Sequence, residues 1–116
     1  SPYTTASVTT TAPADTSSEV SRKIKEKFKS RISNHVIRCL NPFRKPDCKC
    51  GQITNNEDFK HLARKLTHAI LEKELKNVYS MEDLKVTDSV LRKARDYIRR
   101  YMVKIGPVYK RLVGTP

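Results

Sequence analysis

The chain has no tryptophan, and only three glycines and three cysteines among 116 residues. So few glycines leave no glycine-rich phosphate loop. An odd number of cysteines argues against a disulfide framework and fits a reducing compartment. No apolar run approaches the roughly 18 residues of a membrane-crossing helix. No positively charged start leads into an apolar segment, so no signal peptide is expected. The reading is a soluble, intracellular protein. Catalytic patterns are absent as well: there is no His-Glu-x-x-His and no nucleophile triad. Glu72 and Glu74 fall on nearly opposite sides of one helix, too divergent for a paired-carboxylate site. The chain is therefore read as a binding domain rather than an enzyme, with no catalytic residue, cofactor or metal assigned.

Acidic residues are also scarce. Twelve Asp and Glu stand against 24 Lys and Arg, for a net charge of +12. The imbalance is uneven. Residues 1–19 hold no Lys or Arg and two acids, Asp15 and Glu19, so the remaining 97 residues carry +14. A module so charged attracts polyanions, whether nucleic acid, phosphopeptide or anionic membrane, and the charge alone does not choose among them. With 37% hydrophobic residues, the chain supports one small domain with a modest core.

Residues 1–19 are mostly Ser, Thr, Ala and Pro. They bury too little apolar area to offset ordering entropy, and they read as a disordered tail, either a linker or a phosphorylated regulatory segment. The domain proper is expected over 20–112, with helices over about 19–40, 55–77 and 88–105.

Helix one is expected to start near Thr16 or Ser18, where Thr16 and Glu19 have capping-box spacing. Val20, Ile24, Phe28, Ile32, Val36 and Leu40 then recur every four residues. Four-residue spacing advances about 40° per step against the 3.6-residue period, so this stripe winds around the helix. The part after Phe28 is expected in the core, and the basic start partly free. Ile37 lies off the stripe, as an isolated surface residue or as the apolar floor of a groove. Asn41-Pro42 ends the helix. In the basic loop that follows, Cys48 and Cys50 join His35 and Cys39 as four conceivable zinc ligands. A Cys-x-Cys pair is unusual for zinc, so Cys39 is read as a core residue and the loop thiols as incidental.

Helix two contains the clearest periodicity, FKHLARKLTHAILEKEL over 59–75. Phe59, Leu62, Ala63, Leu66 and Ile70 share one side. Lys60, Arg64 and His68 form a second stripe, which turns apolar at Leu71 and Leu75. Two apolar arcs mark helix two as the middle member of a bundle. The Thr54–Glu57 run has capping-box spacing. Helix three begins at Thr87 or Asp88. It places Val90, Ala94, Tyr97, Ile98, Tyr101, Ile105 and Val108 on one arc. Arg92, Lys93, Arg95, Arg99, Arg100 and Lys104 lie opposite, and Gly106-Pro107 stops the helix. The tail after Tyr109 is expected to fray. Three helices, short connections and no strand pattern give an all-α, three-helix bundle with antiparallel neighbours.

Lys60, Arg64 and His68 carry the binding proposal. The ridge spans about 12 Å at 1.5 Å per residue. Two phosphates three residues apart on an extended peptide sit roughly 10 Å from each other. Arg offers a planar fork to phosphate and Lys a mobile point charge. From pattern alone a solvated basic face is the simpler reading. The outer face of helix three is the competing site, as a nucleic-acid surface, although it lacks Asn or Gln for base readout. A structural domain that docks a partner helix is a third reading. A membrane surface fits poorly, since no exposed apolar face accompanies the basic one.

The run LNPFRKPDCKCGQITNNEDFKHLARKLTHAILEKELK, over 40–76, and YIRRYMVKIGPVYK, over 97–110, closely resemble the SRI domain. That domain ends the SET-domain methyltransferases that mark lysine 36 of histone three. The resemblance covers most of 28–110. It implies a left-turned three-helix bundle, nuclear and monomeric, that binds the C-terminal repeat domain of the largest subunit of elongating RNA polymerase II. The implied ligand is the heptad Tyr-Ser-Pro-Thr-Ser-Pro-Ser phosphorylated on its second and fifth residues, held between helices one and two. Positions matching the family's contacts are Ile37, Phe59, Lys60, Arg64 and His68. Ile37 stands where Val is familiar, and Cys50 where an apolar residue is familiar.

Overall fold

The computed structural model describes the backbone over residues 6–111 and side chains over 18–111. It consists of three helices: α1, Ala6–Leu40; α2, Asn56–Asn77; and α3, Asp88–Ile105. Two 3-10 turns, Asn41–Arg44 and Met81–Asp83, punctuate the connections. Among the described residues the only β pairing is one isolated bridge, Gln52 to Val108.

α1 starts ahead of the expected Thr16 or Ser18. Extending a formed helix adds one hydrogen bond per residue without a new nucleus. Thr16 therefore lies inside the helix. Glu19 accepts from Arg22 Nε at 2.7 Å. Arg22 also reaches Glu26 at 3.1 Å. The Arg22 pair holds the Glu19 carboxyl below its usual value, through the hydrogen bond first and then the charge. Side chains are described from Ser18 onward, so the character of the expected 1–19 tail lies outside the described residues.

The cap of α2 is shifted by one residue from expectation. Asn55, not Thr54, is the N-cap, and its side chain accepts from the Asp58 N–H at 2.8 Å. Asp58 answers by accepting from Asn55 Nδ2 at 3.0 Å, a side-chain bond in place of the backbone bond that completes a capping box. α3 opens as expected, with Thr87 Oγ1 accepting from Val90 N–H at 3.2 Å. It ends at Gly106, whose φ of 100° is open to glycine.

The stripe Phe28, Ile32, Val36 and Leu40 is buried, and Val20 is 50% exposed. The four-residue spacing thus carries its first turns off the core, as the winding requires. Leu62, Leu66, Ile98 and Met102 complete the centre. The middle helix is α1, correcting the expectation for helix two. The α1 backbone runs close to both α2 and α3. α2 and α3 meet instead through long side chains. Lys73 Nζ lies 4.0 Å from the Tyr97 ring centroid and Lys65 Nζ 5.8 Å from that of Tyr101. Lys93 pairs with Glu74 at 3.2 Å. Tyrosine rings hold two backbones farther apart than the Ile and Val of α1 do.

The segment after α3 is stitched to the loop before α2. Gly51 N–H donates to the Gly106 carbonyl at 2.6 Å, Gln52 N–H to Pro107 at 3.0 Å, and Tyr109 N–H to Gln52 at 2.8 Å. Tyr109 is buried, 7% exposed, so the chain up to that residue is part of the core.

Candidate functional site

α1 and α2 run antiparallel. A loop joins the end of one to the start of the other, and early α1 meets late α2. His68, Leu71 and Glu72 of α2 share a groove with Arg22, Lys25, Glu26 and Lys29 of α1. With Lys29 beside His68, stepping eight residues along each helix brings Ile37 level with Lys60, since both rise about 1.5 Å per residue. Of the five expected residues, His68 lines this groove, and Ile37, Phe59, Lys60 and Arg64 lie farther along the same two helices.

Their exposures differ. Lys60, Arg64 and His68 are exposed. The buried face of α2 fixes that outcome: Leu62, Ala63, Leu66 and Ile70 turn inward, so the stripe one step away turns outward. Among the described residues none of the three has an ion-pair partner. Ile37 is 36% exposed on α1. Phe59 is only 9% exposed, and the Arg44 guanidinium lies 4.4 Å from its ring centroid. Arg44 also donates to Asn56 Oδ1. Phe59 thus offers a rim rather than an open ring.

One feature of this face escaped the sequence and another was foreshadowed by it. Arg44 over Phe59 depends on the Asn41–Arg44 turn, for which the sequence carries no periodic signal. The approach of Lys25 and Lys29 to His68 was foreshadowed by the winding stripe of α1, which turns those lysines toward α2.

The four conceivable zinc ligands do not converge. His35 Nε2 bonds the Leu91 carbonyl at 2.9 Å, with Cys39 Sγ 3.6 Å from the same nitrogen. Cys50 Sγ instead lies 3.5 Å from the Met102 carbonyl. Leu91 and Met102 are eleven residues apart on α3, about 16 Å. Cys48 donates to the Cys50 carbonyl at 3.1 Å, and all three cysteines are free thiols. Burial raises the Cys39 thiol above its ordinary value, against smaller opposing pulls from Arg95 and Arg99.

On α3, Arg92, Lys93, Arg95, Arg99, Arg100 and Lys104 are all exposed. Lys93 is engaged by Glu74, and Arg95 lies 3.9 Å from Asp96. No described helix is long and apolar enough to cross a membrane.

The described residues form a small helical bundle with an exposed cationic row on α2 and an inter-helix groove between α1 and α2. The family described as the SRI (Set2 Rpb1 interacting) domain matches residues 29–111. The chain is 56% identical over 100 residues to the human histone-lysine N-methyltransferase SETD2, covering 86% of this chain and 4% of that protein. Its mouse counterpart is 53% identical over 109 residues, 94% of this chain and 4% of the relative. Histone-lysine N-methyltransferase Set2 of Drosophila melanogaster is 43% identical over 91 residues, 78% of this chain and 4% of the relative. The chain belongs to the SRI domain family. It spans about 4% of the length of these curated relatives.

Proposed function

We propose that this domain is a phosphopeptide-binding module. It docks a histone lysine-36 methyltransferase onto the hyperphosphorylated C-terminal repeat domain of elongating RNA polymerase II. The observation that carries this is the exposed row Lys60, Arg64 and His68 along the α1–α2 seam of an SRI-family chain. Each phosphate brings about −1.5 to −2 charges to that row. Charge does not select a sequence, so selection falls to Ile37 and the rim of Phe59, which receive the heptad tyrosine or prolines. The ligand is disordered when free, and its ordering offsets much of the gross attraction. Micromolar affinity follows, steeply dependent on salt. The domain acts as a monomer in the nucleus, and methyl transfer belongs to other parts of its parent protein.

Titration with heptad peptides phosphorylated at neither, either or both serines tests this reading. Tightest binding of the doubly phosphorylated peptide is expected, with almost none for the unmodified one. Equal binding of the two would refute it.

A second reading is favoured by the six exposed cations of α3, which present a nucleic-acid surface on a different face. Phosphopeptide binding is lost through changes at Lys60 and Arg64, and duplex binding through changes at Arg95 and Arg99.

A further inference from the structure

The first turn of the apolar stripe on α1 leaves the core and the second is only half covered, and something must account for them. Val20 is 50% exposed, and Ile24 and Met81 are half-buried. Val20, Ile24 and Met81 floor a hollow of about 310 Å³ between α1 and the Met81–Asp83 turn. Ile24 and Glu82 also line an adjoining hollow of about 420 Å³, which continues past Phe28 to Val86. The two form one groove along α1 from Val20 to Arg31, about 16 Å at 1.5 Å per residue.

This groove is not the α1–α2 seam. The seam uses Arg22, Lys25, Glu26 and Lys29 of α1. The apolar groove uses Val20, Ile24, Lys27 and Arg31. At about 100° per residue the two sets fall on opposite sides of the helix. The rim has a definite sign. Lys27, Arg31 and Lys85 line it against one acid, Glu82. Among the described residues none of these three cations has an ion-pair partner.

We infer that this groove is a second docking site, and that its occupant is an acidic amphipathic helix of about three turns from another protein. Val20 and Ile24, four residues apart and incompletely covered, make the start of a ridge of the kind another helix packs against. Apolar side chains on one face of the partner cover Ile24 and Met81. Glu and Asp flanking that face meet Lys27, Arg31 and Lys85. A second copy of this chain suits the site poorly, because the net charge of +12 sets two cationic rims against each other. Nucleic acid gains nothing from the apolar floor. The site stands apart from the phosphopeptide reading and does not depend on it.

The test uses the isotopically labelled full chain and a blocked peptide of about 14 residues. The peptide carries Leu at four-residue helical spacing, with Glu and Ala elsewhere. A shuffled peptide of the same composition, with Leu scattered around the helix, is the control. The patterned peptide is expected to perturb the amide signals of Ile24, Lys85, Val86 and Thr87, and to bind roughly tenfold tighter than the shuffled one. Ile24→Glu, and separately the triple change Lys27→Glu, Arg31→Glu, Lys85→Glu, are each expected to weaken it at least about tenfold. Arg64→Glu is expected to leave it intact. Equal binding of patterned and shuffled peptides reduces the effect to net charge and overturns the inference. So do perturbations confined to the Lys60–His68 row or to α3. Concentration-dependent self-association that Ile24→Glu abolishes makes the occupant a second copy and overturns it equally.

Discussion

The guanidinium carbon of Arg44 sits 4.4 Å from the centre of the Phe59 ring, and the same side chain donates to Asn56 Oδ1. One residue of a 3-10 turn thereby ties the loop to the first turn of α2. An exposed cation–π contact contributes about 0.5–1 kcal/mol. Arg44→Ala is predicted to lower the melting temperature by a few degrees, roughly 4–8 °C per kcal/mol in a domain of this size. A thermal melt unchanged within error refutes that contribution.

Reversing charge at Arg64 removes the centre of the cationic row without touching the core, because Arg64 is exposed. Arg64→Glu is predicted to abolish binding of the doubly phosphorylated heptad while the helical signal and melting point stay within error. For the unaltered chain, affinity is predicted to fall as salt rises through the range where the screening length shrinks from about 10 Å to 3 Å. Isothermal titration at several salt concentrations measures both effects.

Gly51 has φ of 63°, and a Cβ there would lie 3.0 Å from the Met102 carbonyl oxygen and 3.0 Å from its Cε. The methionine end can swing away, but the carbonyl belongs to the α3 backbone. Gly51→Ala therefore combines left-handed strain with a close contact, and a loss of about 2 kcal/mol is predicted. Chemical denaturation measures it. A midpoint equal to that of the unaltered chain counts against the geometry described for this loop.

Three groups bias stability against alkaline conditions. Burial raises the Cys39 thiol above 9.0. Burial, then the neighbouring Tyr101, raises Tyr109 above 10.0. A hydrogen bond donated by Lys65 to Tyr101, then the Tyr101 charge, raises Lys65 above 10.5. Each folded value exceeds the unfolded one, so the folded state binds more protons between them. The contribution is complete below the unfolded value and is lost as pH rises through the folded value. Denaturation midpoints are predicted to fall as pH climbs from about 9. Tyr109→Phe, which cannot ionise, is predicted to flatten the decline above pH 10.

The sequence made the ends of α3 legible, because Thr87 or Asp88 offers a cap and Gly106-Pro107 a stop. The core face of α2 was legible for a similar reason: Leu62, Leu66 and Ile70 keep strict helical phase. The start of α1 was not, since a Thr- and Ser-rich stretch offers many equal caps. Nor was the middle member. Two apolar arcs on α2 announce two neighbours but not how near each lies, and the Tyr97 and Tyr101 rings keep α3 at arm's length. The exposure of Lys60, Arg64 and His68 could be read from phase alone. The covering of Phe59 by Arg44, and the separation of Cys39 from Cys50 along α3, could not. Both depend on how a proline-bearing loop folds back.

The clasp between Gly51–Gln52 and Gly106–Tyr109 closes one end of the molecule like a drawstring. Cutting after the last turn of α3 would remove buried Tyr109 and strip three hydrogen bonds from a loop far upstream. The smallest autonomous piece of this chain must therefore reach at least to Tyr109.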